Sequence, residues 1–147
     1  MKVMKMTRIN SAIEPVVLCD QHLLAEYKEM LRLIAHSYKA KGNRPTKFTL
    51  GKGHVLFFLD KGEFLKKRHG LICNELKRRG FNLTYEYSYH ADGMNSDYET
   101  TQEEYNALYE RVVLRMPKAP KYAKEPISTS ECINLLGILG RYTSTKN

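Results

Sequence analysis

Apolar residues recur along residues 20–38 at the three- and four-residue steps of an amphipathic helix, and Asp20 is well placed to cap it. The predicted buried stripe consists of Leu23, Tyr27, Met30 or Leu31, Ile34 and Tyr38. The other face carries polar side chains at steps of four, three, three and four, namely His22, Glu26, Glu29, Arg32 and His36. Spacing alone favours a solvated surface for this face, because Glu and Arg at these separations commonly form helix-stabilising pairs.

A second apolar stripe predicts one continuous helix over residues 54–79, which Gly80 ends. Its members are Val55, Phe58 or Leu59, Leu65, Ile72 and Leu76. Gly62 and Gly70 within this helix indicate a closely packed neighbouring helix. The basic clusters at residues 66–68 and 77–79 are interpreted as solvated cations, with DNA contact as the alternative.

The chain beyond these helices is expected to contain a third main helix, loops and extended segments. Thr101 and Glu104 form a capping box that opens the third helix, and Pro117 ends it. Residues 81–89 alternate apolar and polar positions; since a partner strand is lacking, an extended segment packed on the helices is expected. Residues 39–52 form a basic loop that either follows a phosphate backbone or is an ordinary surface loop.

These patterns predict an all-α fold. Residues 1–147 are expected to form a single compact domain of three main helices with long irregular connections. An extra short helix is predicted over residues 128–139. Residues 1–6 are interpreted as an N-terminal extension that is either disordered or wrongly assigned to the chain.

Composition points to a polyanionic partner. The chain has 24 Lys and Arg against 16 Asp and Glu, a formal net charge of +8, and 147 residues suffice for a core without disulfides or metal. Nucleic acid is favoured over an anionic membrane because no long apolar span is present, although solubility alone would also explain the charge. Three isolated cysteines and five scattered histidines predict a cytoplasmic protein without a metal site.

Several segments occur in one order that resembles a known family. They are residues 6–10, 20–23, 25–29, 50–55, 57–58, 60–61, 63–68 and 76–82. In this order they are similar to the pyrimidine-dimer DNA glycosylases of the phage endonuclease V family. The resemblance covers roughly the first half of the chain, thins at residues 111–124, and finds no counterpart for residues 125–147.

The resemblance implies a DNA repair glycosylase with β-lyase activity. The enzyme would act without a cofactor, as a monomer, on duplex DNA containing cyclobutane pyrimidine dimers, in the host-cell cytoplasm if phage-encoded. The implied nucleophile is the α-amine of Thr7, provided that translation starts at Met6. An α-amine has a pKa of about 8, so a usable fraction is unprotonated at neutral pH. Glu29 is the implied acid–base residue.

The resemblance also implies a set of DNA-contacting residues. They are Arg8, Gln21, His22, Lys28, Arg32, Lys121 and Tyr122. Lys28 stands where the family has arginine, so charge is kept and bidentate contact is lost. The tail around Lys121 is poorer in aromatic residues than in the family. Two alternatives stay open: the same chemistry on another damaged or modified base, and a noncatalytic basic DNA-binding protein.

Overall fold

The computed structural model describes residues 9–36, 45–50, 53–83 and 93–123, with the side chains of residues 34–36 outside this description. A short 3-10 helix, Pro15–Val17, precedes four α-helices in these ranges. They are α1 (Asp20–His36), α2 (His54–Phe58), α3 (Gly62–Arg78) and α4 (Gln102–Leu114). The described residues contain no strand, only an isolated bridge between Lys61 and Asn95, which confirms the all-α fold class. The helix expected at 128–139 and most of the segment at 81–89 lie outside the described residues.

The prediction of one continuous helix over residues 54–79 is wrong, because the chain breaks between α2 and α3. The Leu59 N–H bonds to Leu56 O and the Lys61 N–H to Phe58 O, so α2 closes in a tight turn. The Gly62 N–H then donates to Met94 O at 2.9 Å. The backbone groups freed by the break are thus satisfied by a segment more than thirty residues away, which local periodicity cannot reveal.

Two predicted helix boundaries are confirmed, one of them with a change of partner. Gly80 has a φ of +96° and follows the end of α3, as expected for a left-handed stop. At α4, the Thr101 side chain accepts a hydrogen bond from the Glu104 N–H at 3.1 Å. The Glu104 carboxylate instead accepts bonds from Ser11 Oγ and Tyr98 Oη, so it joins α4 to the rest of the domain.

The hydrophobic core lies where the four helices meet the segment that precedes α1. Fully buried members come from the segment before α1 and from all four helices, namely Ile9, Leu18, Leu23, Met30, Phe58, Leu65, Ile72, Leu76 and Leu108. Burying an aliphatic or aromatic side chain of this size contributes about 1.5–3 kcal/mol. Gly70 does not mark a helix contact within the described part of the chain, because a Cβ placed there would meet none of its atoms within 4 Å. The expected close helix packing at this glycine is therefore wrong.

No described helix is both long and apolar enough to span a lipid bilayer.

Candidate active site and nucleic-acid interface

The polar face of α1 is largely buried, so the solvated surface that spacing alone favours does not hold for three of its residues. Residues 22, 23, 26, 29, 30 and 33 are all buried and recur at the steps of one helical stripe. His22, Glu26 and Glu29 therefore share this stripe with Leu23, Met30 and Leu33. Burying a titratable side chain is costly unless it is hydrogen-bonded or paired with an opposite charge. The partners of these three side chains therefore show what each part of α1 does.

Glu29 lies at the edge between the core and the surface. Its side chain is only 4% exposed, yet its Oε1 atom is 3.1 Å from Nη1 of Arg32, whose side chain is 68% exposed. Lys28, the preceding residue, is exposed as well. Lys28 and Arg32 are one helical turn apart, so two solvated cations flank a shielded carboxylate. This arrangement can hold phosphates on the outside while keeping an acid–base group beside them.

His22 is buried and neutral rather than exposed. Burial lowers the pKa of His22 to about 4, and a hydrogen bond to the Arg115 backbone only partly opposes this effect. Nδ1 of the ring lies 3.4 Å from Sγ of Cys19. The imidazole thus connects the start of α1 with the end of α4, and in this structure it offers no positive charge to a phosphate.

Gln21 connects α1 to the basic segment, defined here as residues 117–123. Gln21 Nε2 donates to Ala119 O at 2.9 Å, and Gln21 Oε1 accepts from the Lys121 N–H at 3.0 Å. The Asp20 N–H donates to Lys121 O at 2.7 Å, and Tyr122 Oη donates to Val17 O at 2.9 Å. These bonds place the exposed Lys121 at the N-terminus of α1, where the helix dipole also favours bound anions.

Arg79 joins three parts of the chain and is fully buried, contrary to the expectation of a solvated cation. Its Nη1 donates to Asp20 Oδ1 at 2.9 Å and its Nε to Glu75 Oε2 at 2.8 Å. Its Nη2 donates to the carbonyl oxygens of Pro15 and Val16, at 3.4 and 3.2 Å. Arginine can be buried here because two carboxylates balance its charge and carbonyls take its remaining donors.

Arg68, in the other basic cluster, is also buried rather than solvated. It forms a two-bond pair with Glu26, from Nε at 2.8 Å and from Nη2 at 3.1 Å. Its third donor, Nη1, reaches Ile13 O at 2.6 Å. The expectation of solvated cations holds for the exposed Lys66, Lys67 and Lys77 and fails for both of these arginines.

Residues 9–17, named here the N-terminal strap, are held by buried polar side chains. The Ile9 N–H donates to Nε2 of His54 at 3.1 Å, and Ser11 Oγ donates to Oε2 of Glu104. Arg68 binds the Ile13 carbonyl and Arg79 binds those at positions 15 and 16. The strap is thus held at successive points by side chains from α2, α3 and α4 and by Arg79, which directly follows α3. Thr7 and Arg8, just before the strap, lie outside the described residues.

Sequence reasoning missed the residues that hold this strap. His54 lies within a segment that carries the family resemblance, but nothing local assigns it a partner. Local patterns place Glu104 in a capping box and the two arginines in basic clusters, and neither pattern indicates a contact with the strap. Only the i,i+4 spacing of Glu75 and Arg79 offered a usable signal. Among the described residues, no three His, Cys, Asp or Glu side chains group in a way that could hold a metal ion.

An all-α domain with a shielded carboxylate between exposed cations suits an enzyme that works on a nucleic-acid backbone. Comparison of the sequence with known protein families agrees with this class: the family described as pyrimidine dimer DNA glycosylase matches residues 6–88. The match covers more than half of the chain, so the protein belongs to this family. It begins at Met6, immediately before Thr7, and includes the N-terminal strap, α1 and both buried arginines. Membership supports DNA repair glycosylase activity and binding to damaged DNA.

Proposed function

We propose that the protein is a DNA glycosylase with β-lyase activity that cleaves the glycosylic bond of a pyrimidine in a cyclobutane dimer and nicks the strand at the resulting abasic site. Family membership supports the glycosylase step. The observation that carries the proposal is Glu29, a nearly buried carboxylate on a helix whose neighbouring positions expose Lys28 and Arg32. Arg68 bonds both the Ile13 carbonyl and Glu26, which links the strap to the helix that carries Glu29.

In the proposed reaction, the unprotonated α-amine of Thr7 attacks C1′ of the damaged nucleotide's deoxyribose. The bond from C1′ to the base breaks, and its electron pair and one amine proton go to the base. The other amine proton goes to the ring oxygen as the sugar opens to an imine. The Glu29 carboxylate stabilises the positive charge that develops at C1′. Removal of a proton from C2′, assisted by Glu29, then expels the 3′ phosphate, and water hydrolyses the imine to free the amine.

The cations assigned to DNA contact supply the rest of the proposed site. Arg32 and Lys28 would hold phosphates beside Glu29, and Arg8 would do so from its position just before the N-terminal strap. Lys121 would contact DNA at the N-terminus of α1, where Gln21 and Tyr122 hold the basic segment through the hydrogen bonds described above. His22 would support this end of α1 from within.

The proposal is tested with protein that begins at Thr7, incubated with duplexes that contain a pyrimidine dimer, an abasic site or no lesion. We expect nicking of the first two and a borohydride-trapped adduct that mass spectrometry assigns to Thr7. Protein whose N-terminus is fixed at Met1 should trap poorly, because the Thr7 nitrogen is then an amide. Nicking of the abasic duplex alone would indicate a different lesion, and no nicking of any duplex would indicate a noncatalytic binding protein.

A further inference from the structure

His54 has two hydrogen-bond partners that together determine its protonation. Its Nδ1 atom is 2.8 Å from Thr49 O, an acceptor, and its Nε2 atom is 3.1 Å from the Ile9 N–H, a donor. The imidazole therefore carries its proton on Nδ1 and accepts at Nε2. The side chain is buried, and a buried ring with both nitrogens bonded is fixed in position as well as in tautomer.

Two phenylalanine rings and a tight backbone turn pack around the His54 ring. Phe48 and Phe58 contact the ring edge-on, with centroids 5.5 and 5.4 Å away. Gly53, the residue before it, has a φ of +98°, and a Cβ there would lie 3.2 Å from Pro45 Cγ. The imidazole thus sits in a rigid frame built from α2 and residues 45–50, and its Nε2 atom is a fixed acceptor for the strap.

A second fixed acceptor holds the strap two residues further on. The Glu104 carboxylate is completely buried; it accepts from Ser11 Oγ and, at 2.5 Å, from Tyr98 Oη. Burial, followed by the hydrogen bond and charge of Glu104, raises the pKa of Tyr98, so its hydroxyl stays a donor. The strap therefore starts from two anchors, one bonding the backbone of Ile9 and the other the side chain of Ser11.

We propose that His54 is a positioning residue for the N-terminal nucleophile, an inference that rests on the proposed function. Only Arg8 separates Thr7 from Ile9, so the Thr7 amine lies within about 7 Å of the anchored residue even when the chain is fully extended. The bond from Ile9 to His54 thus limits the volume that the amine can sample. Losing this limit lowers the fraction of time spent in attack geometry, where an error of about 1 Å costs on the order of a hundredfold in rate.

Two substitutions of similar polarity separate the two hydrogen bonds of the ring. His54→Gln places an amide oxygen near the former Nε2 position and keeps an acceptor for the Ile9 N–H. His54→Asn is too short to reach Ile9 but keeps a donor for Thr49 O. With protein beginning at Thr7, we expect His54→Asn to slow single-turnover trapping on dimer-containing duplex by about 10- to 100-fold. His54→Gln should stay within a few-fold of wild type, and both should bind the duplex equally well.

A purely structural role for His54 would give a different pattern. His69→Phe is the matched control, since His69 is also buried but stacks on Tyr27 and contacts Cys73 rather than the strap. It should change the melting temperature without changing the trapping rate. Equal rates for His54→Gln and His54→Asn, whether fast or slow, would overturn the positioning role.

Two further measurements keep the test decisive. Should His54→Asn fail to fold, Ser11→Ala removes only the hydroxyl that the second anchor, Glu104, accepts from. A slower trapping rate at unchanged binding supports positioning by the strap, and an unchanged rate overturns it. Wild-type protein that forms no adduct at Thr7 would refute the proposed function itself. Normal wild-type trapping with no effect of either His54 variant would refute only the inference about His54.

Discussion

Removing Arg68 should destabilise the domain severely, because the Glu26 carboxylate would then be buried without a counter-charge. Glu26 is 0% exposed and the Arg68 side chain 4%, so water cannot replace the guanidinium without rearrangement. Breaking such a pair from one side costs about 3–5 kcal/mol, a large share of a typical stability of about 5–15 kcal/mol. At about 2–4 °C per kcal/mol for a chain near this size, Arg68→Met should lower the melting temperature by roughly 6–20 °C.

The measurement is urea unfolding of Arg68→Met, Glu26→Met and the double variant, analysed as a double-mutant cycle. The double variant should recover much of the loss, since it leaves no unpaired charge in the core. Arg78→Met is the control on the same helix: its pair with Glu75 is 30% exposed on the arginine side, and its loss should cost about 1 kcal/mol or less. Equal losses for Arg68→Met and Arg78→Met would refute the reasoning from burial.

Three further predictions concern the site. Glu29→Gln should bind dimer-containing duplex as wild type does but cleave it far more slowly, and equal cleavage rates would remove Glu29 from the reaction. Arg32→Ala should reduce the slope of log affinity against log salt by about 1 on any duplex sequence; an unchanged slope would place Arg32 off the DNA. His22, with its pKa lowered from 6.5 to about 4, should favour the folded state above pH 6.5 and lose this contribution as pH falls towards 4, so His22→Leu should flatten the acid side of the stability profile.

The elements that local patterns define were predictable. The apolar stripe of α1 predicted a helix over residues 20–38, and the structure has it at Asp20–His36, with residues 37–38 outside the described ranges. Asp20, predicted as the cap, is instead the first helical residue, and its carboxylate accepts from Arg79. Thr101 and Gly80 marked a start and a stop that the structure shows. Each depends on residues within about one helical turn, where propensity and capping decide the conformation.

What could not be predicted depends on partners far away in sequence. The break before Gly62 is completed by Met94, and the burial of Arg79 depends on Asp20, 59 residues away. Apart from the i,i+4 spacing of Glu75 and Arg79, nothing local in the sequence separates the buried Arg79 from the exposed Lys77 of the same basic cluster. The carboxylate Glu29 was identified through the family resemblance, whereas its shielding became clear only from the folded chain.

The anchors of the N-terminal strap also bear on how the domain opens. Their bonds span 45 residues at Ile9, 93 at Ser11 and 55 at Ile13, so none is made by a neighbour in sequence. A local fluctuation of one helix end cannot release all of them, and they form only when distant parts of the chain have come together. The Ile9 amide should therefore exchange its hydrogen with solvent only through global unfolding. Ile9, only two positions after Thr7, is thus bonded to a buried side chain of a distant helix rather than to a neighbouring part of the chain.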